Sequence, residues 1–415
     1  MFGVKTKILD KINKNFKIID TDKSLTKIES YILMRLIKKE LKKEADISDN
    51  QQVIIKKTNN FASTMIKKTS DFMPNNLGNW SIKNPHTVSA KLELTVIRTI
   101  KNLLGTNKEI VGHFSSGTTE GNIYAAWIAR NYLQKKLNLK ESHKIVLIKS
   151  CLAHYSIDKA ADIVGLRLIT TGIHKSKYNI DLKCLEKNIA SLYNQGIRGF
   201  IIPLTLGYTV TGTDDEYIKI VDLVKKFEKE KADCKFFLWI DAAYSGMLKT
   251  YLDDDFRPFT QKGIQLISTD LHKSLAIPYP AGVLLYRKEL LDYIKKTIPY
   301  INQFDTTLLG SRPGSSVLAS WFTFINLSKK EIRNYYNKAI ERKNNFLEKI
   351  ENENIGVQII NNATSLQACL ISFNKASDKI LNEKYNLKSI NYKLLFGQRF
   401  TTVKLYKLYF FMNLK

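Results

Sequence analysis

Residues 264–276 read IQLISTDLHKSLA. The opening run IQLIS (264–268) has the length and composition of a buried strand. His272 and Lys273 follow at once, which places the lysine where the chain leaves the strand. Open α/β sheets bind ligands in that region, and an amine held there can form an imine with a carbonyl compound. A His-Lys pair is weak by itself in a lysine-rich chain, because lysines are mostly surface residues. Its surroundings decide.

Working outward, short apolar runs at KIVLIK (144–149), GFIIPL (199–204), KFFLWI (235–240) and AGVLLY (281–286) alternate with helix-length amphipathic segments at 119–138 and 214–230. That alternation predicts an α/β fold with a mostly parallel central sheet covered by helices on both faces. Upstream, Val88, Leu92, Val96, Ile97, Ile100 and Leu104 mark a helix that stops at Gly105. Leu25, Ile28, Ile32, Leu33, Leu36, Ile37 and Leu41 recur at helical spacing over about 24–44 and suggest an amphipathic arm. After TTLLGSRPGSS the pattern changes to a long charged helix at about 328–350 and then to shorter pieces. The expected organisation is an N-terminal helical arm (1–75), a large α/β domain (76–310) and a small C-terminal α+β domain (311–415), with a boundary near Gly310. The end, GQRFTTVKLYKLYFFMNLK, has no clear reading, and no internal repeat is visible.

The chain has 415 residues, with Lys+Arg 65 against Asp+Glu 39 and a formal charge of +26. The lysines occur as scattered pairs, such as Lys38 and Lys39 or Lys329 and Lys330. Dispersed charge of this kind is a solvated surface more often than a nucleic-acid footprint. Cys151, Cys184, Cys234 and Cys369 lack CxxC or zinc-ligand spacing, so neither disulfides nor a metal is expected. Lysines interrupt the first fifteen residues and no apolar run is long enough for a membrane span, so a cytoplasmic protein is expected.

Three further segments bear on Lys273. LWIDAAYSG (238–246) ends an apolar strand with Asp241 and follows it with alanines that leave room for a flat ring. A buried carboxylate there needs a cationic partner, and a protonated pyridine nitrogen would be one. HFSSGTTEGNIYAAW (113–127) passes from a strand through a Gly/Ser/Thr turn into a helix, offering free N–H groups and hydroxyls as a phosphate seat. By itself the same turn reads more readily as an ordinary helix start capped by Thr118 or Thr119. His154, in LAHYSIDKAADIV, stands just before a helical segment.

These segments together resemble the group II pyridoxal-phosphate-dependent decarboxylases, closest to the bacterial histidine decarboxylase and plant serine decarboxylase branch. The resemblance runs in order through NNLGNW, SSGTTEGN, AHYSIDKA, PLTLGYTVTGTDD, IDAAYSGM, DLHKS, IPYPAGVLLYRKE and FDTTLLGSRPGSS, from residue 75 to residue 316. It implies the fold type I architecture of PLP-dependent transferases, pyridoxal 5'-phosphate as cofactor, and a homodimer with sites at the subunit interface near GSRPG. By the same resemblance Lys273 would carry the cofactor as an imine, Asp241 would pair with the pyridine nitrogen, and His154 would stack on the ring. Gly117, Thr118, Thr119 and His272 would hold the phosphate, Thr205 and Ala243 would lie against the ring, and Tyr300 would reprotonate the substrate's Cα.

The implied reaction converts an L-amino acid, histidine-like or otherwise polar or aromatic, to its amine and carbon dioxide. The pattern differs from the branch at SSGTTEGN, usually NGGTEGN, at Asp270, usually Ser, and at Asn79, usually acidic. An Asp at 270 is similar to archaeal tyrosine and aspartate decarboxylases and to sphingosine phosphate lyases. Two alternatives therefore stand beside decarboxylation: a carbon–carbon lyase on a phosphorylated amino alcohol, and a non-catalytic binding protein suggested by the net charge alone.

Overall fold

The computed structural model describes Ile28, Tyr31, Ile32 and Arg35, then residues 59–72, 75–77, 87–372, 374–385, 387, 390–391 and 399–404. The four isolated residues are helical; the other residues of the amphipathic segment at about 24–44, and Asn79, lie outside the described residues.

Seven strands make the central sheet: β1 (Ile110–Ser115), β2 (Ile145–Ser150), β3 (Arg167–Thr171), β4 (Gly199–Thr205), β5 (Lys235–Asp241), β6 (Ile264–Asp270) and β7 (Gly282–Arg287). Their order is β1-β7-β6-β5-β4-β2-β3. The pairs among β3, β2, β4, β5 and β6 are parallel, whereas β7 runs antiparallel to both β6 and β1. This is the mostly parallel α/β sheet expected from the alternating pattern.

The apolar runs lack a polar alternation because both faces of the sheet are covered. Phe200, Ile202 and Leu204 of β4 and Phe236, Leu238 and Ile240 of β5 join one core cluster. Their neighbours Ile201, Phe237 and Trp239 join the other. Period-two side-chain alternation thus feeds two cores from one strand. Helix Val88–Leu103 contributes Val96, Ile97 and Ile100 to the first core, and helix Thr118–Lys136 contributes Tyr124, Ala125 and Ile128 to the second.

Because β4, β5 and β6 are parallel, their C-terminal residues share one edge of the sheet. Thr205 is the register partner of Asp241, and Asp241 that of Ser268, two residues before Asp270. The site is built along this edge. Gly282, which opens β7, allows the turn at Gly117 to approach closely. A Cβ at Gly282 would lie 2.5 Å from the Gly117 Cα and 2.5 Å from the Ser115 Oγ.

Several elements differ from the sequence reading. Helix Tyr217–Glu230 starts later than residue 214, since the Asp215 carboxylate accepts hydrogen bonds from the backbone of Thr205 and Ile180 at 2.7 and 2.9 Å. An additional helix, Gly314–Asn326, packs against helices Asn60–Thr69 and Val88–Leu103. The long charged helix spans Lys329–Asn352 and opens with a capping box between Ser328 and Glu331. Beyond it, strands Val357–Asn361, Gln367–Ser372, Arg399–Lys404 and Ile390–Asn391 form an antiparallel sheet in that order. Part of the unread C-terminal stretch is therefore a strand. Among the described residues no helix is long and apolar enough to cross a membrane.

Candidate active site

A cavity of about 250 Å³ opens at the C-terminal edge of β4, β5 and β6. Gly117, Thr118, Thr119, His154, Thr205, Asp241, Ala243, His272 and Lys273 all line it. Nine of the ten residues singled out by sequence thus meet in one place. Tyr300 does not. It lies on a single turn, Pro299–Ile301, with 87% of its surface exposed, and is no part of the lining.

Asp241 ends β5 and is buried. Its Oδ2 accepts a hydrogen bond from Asn122 Nδ2 at 2.8 Å, and its Oδ1 accepts one from the Ala243 N–H at 3.2 Å. Burial raises its pKa, with Asn122 and the charge of Lys273 pulling the other way. A carboxylate in this position is stabilised by any cation placed against it.

Asn122 is held in turn by the Trp239 indole N–H, which donates to its Oδ1 at 3.0 Å. Its Nδ2 also donates to Ser156 Oγ at 2.9 Å, and Ser156 Oγ lies 2.8 Å from His154 Nδ1. One amide therefore links the Asp241 carboxylate to the anchor of the His154 ring. Burial, aided by Lys273, lowers the His154 pKa from 6.5 to about 4, so its imidazole is neutral near pH 7.

Lys273 lies in the short helix Leu271–Ser274 that follows β6. Its Nζ is 2.8 Å from Asp270 Oδ2 and 4.5 Å from the centre of the Tyr244 ring. Burial is the largest single influence and would lower the lysine pKa, but the charge and hydrogen bond of Asp270 together with Asp241 and Tyr279 outweigh it, and the net shift is upward. Asp270 shows the converse: burial pushes its pKa up, and Lys273, His272 and Thr118 together hold it below the ordinary value. His272 is fixed by contact of its Nδ1 with the Ala281 carbonyl at 3.1 Å and by the Tyr279 ring, 4.1 Å away between centroids.

The helix Thr118–Lys136 points its N-terminus into the cavity. Gly117, at φ 147°, caps it without a side chain; the N–H and hydroxyl of Thr118 donate to Asp270, those of Ser116 donate to Glu120, and the exposed Thr119 lines the cavity. Sequence reasoning gave no role to Asn122, Tyr244 or Tyr279. Asn122 was accessible in principle, since it lies four residues after Thr118 and so on the same helix face.

A lysine amine at a strand end, a buried carboxylate on the next strand and a helix N-terminus in one cavity define a fold type I α/β site. Residues 42–375 match the family model described as pyridoxal-dependent decarboxylase conserved domain. The chain belongs to that family. It is 29% identical over 237 residues to a tryptophan decarboxylase of Clostridium sporogenes, a match covering 57% of this chain and 55% of that protein. It is 31% identical over 293 residues to a probable L-aspartate decarboxylase of Pyrococcus abyssi, covering 68% and 70%. A histidine decarboxylase of Vibrio campbellii is 29% identical over 265 residues, covering 63% and 64%. Among solved structures, an Oryza sativa TDC with PLP and tryptamine superposes with a TM-score of 0.76 at 13% identity, covering 94% of this chain and 86% of that one. That likeness concerns the fold.

The family implies pyridoxal phosphate, and the residues present fit it. Asp241 is a buried carboxylate suited to a pyridine nitrogen, and the Gly117–Thr119 turn offers donors for a phosphate. Ala243 and Thr205, both short side chains, line the cavity.

Proposed function

We propose that this chain removes the α-carboxylate of an L-amino acid as carbon dioxide and leaves the amine, with histidine-like and other polar or aromatic amino acids as the substrate class. The observation that carries this reading is Lys273 and Asp241 lining one cavity from adjacent strand ends. Pyridoxal phosphate, when bound, supplies a ring that accepts the electron pair left at the substrate's Cα.

The protein's own residues prepare that step. Asp241 keeps a proton on the ring nitrogen, because a carboxylate withdrawn from water favours a cationic neighbour. His154, uncharged and fixed through Ser156, offers a flat face that orients the ring. Thr118 and Thr119 hold the phosphate at the helix N-terminus, where the partial positive charge of the helix adds to the hydrogen bonds. Lys273 would be the covalent attachment point for the cofactor's carbonyl carbon, the position at which a substrate amine would compete with it.

We assign the chain to a homodimer in the cytoplasm. The strongly exposed Tyr300 would then serve the partner's cavity, its hydroxyl delivering a proton to Cα.

The test incubates the cofactor-saturated protein with each common amino acid and follows carbon dioxide and amine by mass spectrometry. Carbon dioxide with the matching amine from a polar or aromatic amino acid is expected. An aldehyde formed from a phosphorylated amino alcohol, or no product from any amino acid, would overturn the proposal.

A further inference from the structure

We propose that Asp270 is a latch on the phosphate seat: its carboxylate holds the N-terminus of helix Thr118–Lys136, and a phosphate entering there must displace it from Thr118. The inference rests on the cavity being the cofactor site.

Asp270 is 2% exposed, and its two oxygens divide their partners. Oδ1 accepts from the Thr118 N–H at 2.8 Å and from the Thr118 hydroxyl at 2.9 Å. Oδ2 lies 2.8 Å from Lys273 Nζ and 3.5 Å from His272 Nε2. An incoming phosphate would use the same set: a first-turn N–H, a hydroxyl, an imidazole and a nearby ammonium. The carboxylate therefore stands in for the anion the seat is built to take.

A second carboxylate strengthens the point. Glu120 Oε2 accepts from the Ser116 N–H at 2.6 Å and from its hydroxyl at 2.8 Å. Two donors of the turn are thus already neutralised by the chain itself, whereas Thr119 faces the opening. A phosphate close to the Asp270 carboxylate would meet like charge in a site shielded from water, where repulsion is weakly screened. Both anions cannot hold Thr118. The two Asp270 oxygens have separate partners, so Lys273 can keep Oδ2 when Oδ1 releases Thr118. Gly117 leaves the gap beside it open, since a Cβ there would lie 3.3 Å from His272 Cε1 and 3.5 Å from Asp270 Oδ1.

Asp270 is thus a positioning residue that sets how readily the seat accepts phosphate. The experiment titrates inorganic phosphate into the cofactor-free full chain by calorimetry, for the wild type, Asp270→Asn and Asp270→Ser, with circular dichroism to confirm the fold. Phosphate affinity should rise about tenfold or more in both variants once the competing charge is gone. Equal or weaker binding by folded variants would overturn the latch while leaving the seat in place. No phosphate binding by any of the three proteins would overturn the cofactor-site reading and the latch together. A wild-type crystal structure with inorganic phosphate in the seat supplies a check independent of the variants. Asp270 Oδ1 should stand beyond hydrogen-bond reach of the Thr118 N–H, and a retained 2.8 Å contact would refute the proposal.

Discussion

Asn122 donates a 2.8 Å hydrogen bond to the Asp241 carboxylate, and the same amide nitrogen lies 2.9 Å from the Ser156 hydroxyl that anchors His154. The two groups proposed to grip opposite parts of the cofactor ring therefore share one support. Asn122 is fully buried and is itself steadied by Trp239.

Replacing Asn122 by Ala leaves the Asp241 and Ser156 oxygens and the Trp239 N–H short of a buried partner. The variant should lose about 2 kcal/mol of stability, the cost of an unsatisfied buried polar group. Asp241→Ala removes the ring-nitrogen partner instead and should reduce turnover on the order of a hundredfold or more, as for removal of a preorganised electrostatic contact. Urea unfolding and steady-state kinetics on the two variants separate the effects.

His154 makes stability depend on pH. Its pKa falls from 6.5 to about 4 on folding, first through burial and then through Lys273. The unfolded chain takes up this proton as pH drops through 6.5, whereas the native chain resists until about 4. The contribution of His154 is therefore present above pH 6.5 and is lost as pH falls toward 4. Urea midpoints measured across that window should decline less steeply in His154→Gln. The buried His113, whose pKa is lowered by burial and by Arg312, acts in the same direction and is common to both proteins.

Gly282→Ala tests the close approach of β7 to the phosphate turn. The added methyl would meet the Gly117 N at 2.7 Å as well as its Cα at 2.5 Å, and backbone atoms cannot step aside as a flexible side chain would. A stability loss of about 1–3 kcal/mol is expected from overpacking, together with weaker cofactor binding because the turn is displaced. Thermal unfolding and cofactor titration read the two consequences.

Much of this was legible in the sequence, and the reasons are specific. β4 and β5 are buried on both faces, so GFIIPL and KFFLWI appear as unbroken apolar runs. Asp241 was readable because it directly follows KFFLWI, and Lys273 because it stands five residues after IQLIS; strand ends are where open sheets place ligands. Helix Gly314–Asn326 was missed because its buried side includes Ser316, Ser320 and Thr323 while Ile325 is exposed, so the apolar residues do not mark the packed face. The start of helix Tyr217–Glu230 was misplaced because the role of Asp215 in binding loop backbone is a tertiary property. The contact of Asp270 with Thr118, 152 places away in sequence, follows from packing alone.

The central claim is that Lys273 carries the cofactor. Reduction of the cofactor-saturated protein with sodium borohydride, followed by peptide mapping, tests it most directly. The account expects a stable pyridoxyl adduct on the peptide containing Lys273, and its loss in Lys273→Ala. An adduct on another lysine, or no adduct from a protein that binds the cofactor, would contradict it.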